Sequence, residues 1–424
     1  MNLPLRRRQQ HLVNNNNNEE LVVTRKRISS RMMYTYCKYP AIAILFSGFL
    51  YSFLAIGIYL GEAISDKVLS SGFKLIKSDP SDETTGGPTY AIIHQPQLTY
   101  RHDMSNITSV QECTSDQIKY ISLDLIAADI RAMTRCPSPT WIESFFQEEP
   151  NIGTDSFLGI SIGCNKGFDA IQTARMGMSN TDFNRTSWKN EIVALGMNAK
   201  GACDQEAGKD FEVTFSNRPG EMHCVEPMPD TSQTIISAAR KLKLESKNFY
   251  VNQAAISSAN GYIDFPNVTA GRENVGINQC GSNGCVKVPM YSLDSYVEQF
   301  VKSKGPINVL QIDVEGWDFD VLFGASNTLD RTYYLEFEYH SVGNWGRLHL
   351  PDAVRLLNVK GYTCYWQGSG KLWRITDCYH PIYNTWHGWS NVACVHRSHH
   401  KLAKRMEHMF QSAYENKYVN NSDI

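Results

Sequence analysis

From Phe157 onward the chain alternates short apolar runs with amphipathic stretches, a rhythm that builds an α/β domain around a largely parallel sheet. The apolar runs predict strands at 157–162, 222–226, 249–256, 307–314, 333–339, 362–366 and 391–396. Between them, apolar residues at helical spacing predict helices at 168–176, 231–244, 293–302, 319–329 and 351–360. Upstream, 115–136 and the Ser-Pro start at 138 read as two helices, a preface over 111–150 to a main domain over 151–400, with 401–424 as a basic tail.

The longest uncharged run lies elsewhere. "AIAILFSGFLYSFLAIGIYLG", residues 41–61, is long enough to cross a bilayer as a helix. Arg6, Arg7, Arg8, Arg25, Lys26, Arg27, Arg31 and Lys38 precede it, while Glu62, Asp66 and Lys67 follow, so the positive-inside bias keeps 1–40 cytoplasmic. The expectation is a single-pass type II membrane protein: a disordered tail over 1–40, the transmembrane helix, a polar stem over 62–110, and a lumenal catalytic domain in the Golgi or another endomembrane. A cleaved signal peptide is the competing reading, but the run is longer than an h-region and starts too far into the chain.

Cysteine usage agrees with that topology, since ten of the eleven cysteines follow the run. Cys280 and Cys285 flank "GSNG", a spacing suited to a disulfide-closed turn, and no C-x-x-C pair points to zinc. Sequons at Asn106, Asn184, Asn267 and Asn420 fit a glycoprotein. Apolar content of 42%, charged content of 20% and a net charge of −2 exclude a protein that lives on phosphate neutralisation, so no nucleic-acid partner is expected.

In open parallel sheets ligands bind outside the carboxyl ends of the strands, so the residues just past each run carry the chemistry. After the first run, Gly163 and Gly167 make a tight turn whose amide groups can approach a ligand. Glu226 ends the second run before Pro227, where an acid is placed to accept ribose hydroxyls. At the end of 307–314, Asp313 and Glu315 stand two apart and share a face, whereas Asp318 and Asp320 fall in the first turn of the following helix, where negative charge suits the macrodipole. On the next strand Glu336, Glu338 and His340 alternate on one face; two acids and a His there are costly to bury without purpose.

Four blocks in order carry a resemblance. "CVEPMPD", "NQAAISSANGYIDF", "YSLDSYVEQF" and "LQIDVEGWDFDVLFGASNTL" make 157–397 similar to the FkbM-type family of S-adenosylmethionine-dependent methyltransferases. The resemblance implies a Rossmann-like fold with a mostly parallel seven-stranded sheet and S-adenosyl-L-methionine as cofactor. It places Gly163, Asn165 and Gly167 in the donor loop, Glu226 on the ribose, Ser257 near the adenine, and Asp313 and Glu315 toward the methyl-accepting side; the strand face beside them adds Glu338 and His340 as further catalytic candidates. The implied reaction is O-methylation of a hydroxylated acceptor, a glycan or another secretory-pathway compound. Two positions depart from the family's pattern: Ser161 stands where D-x-G-A-N-x-G opens with an acid, and Gln311 where K-I-D-V-E-G has lysine.

Two other readings compete. "DFD", 318–320, satisfies the D-x-D of a metal-dependent glycosyltransferase but sits in a helix start, and Ser161 with Gln311 leaves open a degenerate methyltransferase-fold binding domain. The segment 177–221, with Trp188, has the place of an acceptor lid.

Overall fold

The run at 157–162 is buried along its whole length, as a strand in the middle of a sheet must be, and the other elements are laid on either side of it. The computed structural model describes residues 112–127, 156–179, 181–201, 218–277, 280, 284–368, 370–378 and 390–418, together with Ile142, Phe145, Phe146, Glu148 and Glu149. In chain order the strands are β1 (Phe157–Ile162), β2 (Gly220–Val225), β3 (Phe249–Asn252), β4 (Ala255–Ser257), β5 (Gly261–Pro266) and β6 (Cys285–Ser292). There follow β7 (Ile307–Ile312), β8 (Thr332–Tyr339), β9 (Tyr362–Gly368), β10 (Lys371–Arg374) and β11 (Ser390–His396). The helices are α1 (Ser115–Ala127), α2 (Phe168–Gly177), α3 (Arg185–Ala194), α4 (Pro229–Lys241), α5 (Leu293–Phe300), α6 (Asp318–Phe323), α7 (Ser326–Leu329), α8 (Leu350–Val359) and α9 (His400–Tyr418).

The main sheet has eight strands in the order β10-β9-β11-β8-β7-β1-β2-β3, which corrects the expected seven. β3, β2, β1, β7 and β8 run parallel, and β11, β9 and β10 add antiparallel pairs. The predicted strand at 249–256 breaks at the exposed Gln253: β3 stays in the main sheet, while β4 joins β6 and β5 in a separate three-stranded sheet. β10 escaped the pattern because it is only 4 residues long, and the β5–β6 pair because its faces are mixed rather than cleanly alternating.

Chain order reverses at β1, which has β2 on one side and β7 on the other, so the connections leaving β1 and β7 diverge and open a crevice between their carboxyl ends. Disulfides brace the fold. Cys364 and Cys394 are register partners on β9 and β11, Cys113 ties the start of α1 to Cys378, and Cys280–Cys285 closes the turn before β6 as expected. A fourth, Cys164–Cys224, ties the turn after β1 to β2.

The expectation of a transmembrane helix, and with it the type II topology and the lumenal, endomembrane placement, is corrected here. Among the described residues no helix is long and apolar enough to cross a membrane, and 41–61 lie outside them. The 19-residue α9 is amphipathic: Leu402, Met406 and Phe410 are buried, and Tyr365 Oη and Arg374 Nη1 both donate to Glu407. The sequon asparagine at 184 caps α3, its carboxamide oxygen accepting the Ser187 N–H at 2.8 Å.

The "L-D" start of α5 has a structural cause. The Asp294 carboxylate accepts the Asn327 N–H at 2.9 Å, the Thr328 N–H at 2.8 Å and the Thr328 hydroxyl at 2.7 Å, which holds the start of α7 against α5. Asp294→Ala strands those donors and is expected to cost about 1–3 kcal/mol. Urea unfolding measures it; an unmoved midpoint would show that the contact contributes nothing.

Candidate active site

Three loops meet at the crevice. Asp313 N–H donates to Ile162 O at 2.9 Å, so the turn after β1 and the turn after β7 start from one hydrogen bond. Gly163 has φ +72°, and a Cβ there would lie 1.7 Å from the Asp313 carbonyl oxygen; only glycine allows this approach. Gly167, at φ +76°, opens α2, and a Cβ on it would meet the Trp188 ring at 2.8 Å. Trp188 is fully buried and donates to Lys166 O at 2.7 Å, so it fixes the glycine turn from below and is not a lid residue.

Glu226 ties the second loop to the first. Its oxygens accept the Asn165 N–H at 2.8 Å and the Met228 N–H at 2.9 Å. Only 4% of Glu226 is exposed, and burial pushes its pKa up to about 7. Asn165 has φ 42°, an uncommon conformation for a side-chain-bearing residue, and its Oδ1 is buried without a hydrogen-bond partner among the described residues. Ser257 lies in the small sheet, paired in register with Ser292, and its carbonyl oxygen stands against Gly324.

The third side is acidic. Thr173 of α2 donates to Gln311 Oε1 at 3.0 Å, and Gln311 Nε2 donates to Glu336 Oε1 at 2.8 Å, so α2 covers the sheet face that carries these residues. Tyr334 satisfies the other Glu336 oxygen at 2.7 Å, making Glu336 a structural member of the row. Gln311, which replaces the family's lysine, is thus a neutral bridge between helix and strand. Beyond it, solvent reaches Asp313, yet the enclosing protein and the charges of Glu338, Glu315, Asp318 and Asp169 drive its pKa well up. This combination describes a side chain lining a cleft. Glu338 is raised for the same causes and shares a hydrogen bond with Asp313, which requires one of the pair to hold a proton.

Glu315 has φ 54°, its Oε1 accepts the Asn274 N–H at 2.7 Å, and its Oε2 is buried without a partner among the described residues. Glu315, Glu338 and His340 bring one ligand atom each within 4.8 Å of one another. His340, however, is buried and held neutral, its pKa lowered to about 4, and its Nδ1 accepts the Val342 N–H at 3.1 Å. That contact puts the ring proton on Nε2, the nitrogen facing Glu338 at 3.6 Å, so His340 presents a donor and not a metal lone pair to the cleft. The D-x-D pair does not assemble either: Asp318 is buried against Trp345 Nε1 at 3.2 Å, and Asp320 accepts from Asn344 Nδ2 at 2.7 Å.

Two features escaped sequence reasoning. The loop between β5 and β6 straps across all three edges: Asn165 Nδ2 donates to Arg272 O at 3.4 Å, Lys166 pairs with Glu273, Gly271 N–H donates to Thr231 Oγ1 at 2.9 Å, and Asn274 holds Glu315. No local pattern signals such a contact. Asp169, in the first turn of α2, also belongs to the acidic cleft; its position after Gly167 was the available signal.

Residues 201–364 match the family model described as "Methyltransferase FkbM domain". This stretch belongs to the FkbM methyltransferase family. The match covers β2 to the middle of β9, a shorter span than the resemblance read from the sequence. Among solved structures the chain is similar to a methyltransferase FkbM from Methylobacillus flagellatus KT, at 11% identity, with 66% of this chain and 60% of that chain covered and a TM-score of 0.30. It is also similar to the O-methyltransferase from Bacillus cereus in complex with SAH, at 10% identity, with 66% and 90% covered and a TM-score of 0.28. The chain thus spans less than two thirds of the first of these proteins. No curated protein matches it.

S-adenosylmethionine is the methyl donor of FkbM methyltransferases, and the crevice fits it. Gly163 and Gly167 leave the loop without side chains on the ligand edge, Asn165 Oδ1 is a buried acceptor awaiting a donor, and each Glu226 oxygen keeps a second acceptor position for a ribose hydroxyl. Because its pKa rises from 4.5 to about 7 on folding, Glu226 contributes stability that is complete below pH 4.5 and lost as pH climbs through about 7. In Glu226→Gln the fall in unfolding free energy between those limits should be shallower by about 1–3 kcal/mol. Denaturant titrations at several pH values test the slope; equal slopes in both proteins contradict the assignment.

Proposed function

We propose that the protein is an O-methyltransferase acting on a hydroxylated acceptor, a small polyol or a glycan, with Asp313 as the base. The observation that carries this reading is the Asp313–Glu338 pair: a proton-sharing carboxyl couple that solvent can enter, one hydrogen bond away from the glycine turn of the donor loop. When bound, S-adenosylmethionine supplies an electrophilic sulfonium methyl. The chain's own work is to hold the acceptor oxygen in line and to take its proton.

A carboxylate of ordinary pKa is a weak base for a hydroxyl at neutral pH. Asp313 is better matched, because burial and the neighbouring acids raise its affinity for a proton toward the working range. Glu338 accepts or returns the shared proton, and the buried, neutral His340 turns its Nε2 side toward Glu338 at 3.6 Å. Glu315, anchored by the Asn274 amide, closes the acceptor side with a strained backbone. Gln311 and Glu336 keep the row beneath them rigid.

Incubation with methyl-labelled donor and a panel of glycans and small hydroxylated compounds should yield label transfer to an acceptor oxygen. Asp313→Asn should lower that turnover by roughly 10²- to 10⁴-fold while the melting temperature stays near the wild-type value. Turnover retained in the variant would sink the assignment of the base.

A further inference from the structure

The donor carries an amino-acid tail, so its binding brings an α-ammonium into the cleft, and a cation in an enclosed site needs an anionic partner. Ser161, at the position where the family's first block opens with an acid, is 3% exposed and offers no charge. Most carboxylates of the cleft are already engaged. Glu226 holds two backbone amides, Glu336 is bonded to Gln311 and Tyr334, and Glu315 and Asp318 each use one oxygen, on the Asn274 amide and on Trp345, their second oxygens lying on the far, β7 side of the crevice from α2. Asp313 and Glu338 are bonded to each other.

Asp169 is different in three respects. It stands in the first turn of α2, two residues beyond Gly167, and therefore at the mouth of the donor loop itself. Solvent reaches it, and no hydrogen bond to its carboxylate is present among the described residues. Thr173, one turn further along the same face of α2, donates to Gln311, which bonds Glu336, so Asp169 lies on the acidic side of the crevice, where its charge is felt by Asp313, Glu336 and Glu338. Burial raises the pKa of Asp169 and Arg185 opposes that rise, so a cation already acts on this carboxylate; the guanidinium is itself seated 5.8 Å from the Phe168 ring. Among the described residues no cation acts on Glu226, Asp313, Glu315 or Glu338.

We infer that Asp169 receives the α-ammonium of the donor, replacing from the first turn of α2 the acid that β1 lacks at Ser161. The inference rests on the methyltransferase reading and assigns a binding role, not a chemical one. It makes Asp169 selective for ligands that carry the amino-acid tail.

Calorimetry on the full chain separates the possibilities, with S-adenosylhomocysteine as a ligand bearing the tail and 5′-methylthioadenosine as one lacking it. Asp169→Asn should weaken S-adenosylhomocysteine roughly 10- to 100-fold, the range of one charge-assisted hydrogen bond, and leave methylthioadenosine unchanged. Asp169→Glu should recover part of the loss. Equal weakening of both ligands would mean that Asp169 merely supports the loop, and an unchanged affinity for S-adenosylhomocysteine would mean that another group holds the ammonium; either overturns the inference. If wild-type protein binds neither compound, the methyltransferase reading itself fails.

Discussion

The hydrogen bond from Asp313 N–H to Ile162 O, with the Gly163 backbone pressed against the Asp313 carbonyl, is the constraint on which the rest of the site depends. It extends the β1–β7 pairing one step past the strands, at the place where chain order reverses. A Cβ at Gly163 has no room there, so the glycine turn and the acidic turn must be built as one unit. Everything nearby follows from this closeness: the glycine loop borders the crevice on one side, and carboxylates border it on the other.

Around that junction the chain spends polar groups unusually freely. Acids at 169, 313, 315, 318, 336 and 338 lie on or beside one face, and their mutual repulsion is relieved by protonation and by neutral bridges rather than by lysine or arginine partners of their own, Arg185 beside Asp169 excepted. Buried carboxyls with raised pKa are costly to the fold. Their concentration at a strand-end crevice, with left-handed backbone at Asn165 and Glu315, is the pattern expected where binding chemistry outweighs stability. The strap between β5 and β6 then links the glycine-turn and acidic edges, since Asn274 holds Glu315 while Glu273 holds Lys166.

Much of this was legible residue by residue. The strand at 157–162, the helix after it and the strand-end positions of Glu226 and Asp313 follow from periodicity, because apolar runs and their boundaries are local properties of the chain. Less legible were Asp318 and His340. Asp318 looks like an exposed helix-start acid and is buried against Trp345, 27 residues away; His340 looks like a base and is held neutral by burial, with its tautomer set by the Val342 amide.

The sequence by itself determined the α/β alternation, the glycine turn, the acids at the strand ends and the family of the stretch 201–364, since each depends on residue type and spacing along the chain. Only the tertiary structure decided the eighth strand and the departure of β4 into a second sheet, because pairing partners are chosen across long sequence separations. It also decided which carboxylates are structural and which face the crevice. That sorting rests on donors such as Gln311, Asn274 and Trp345, brought within hydrogen-bond reach by folding and by nothing local.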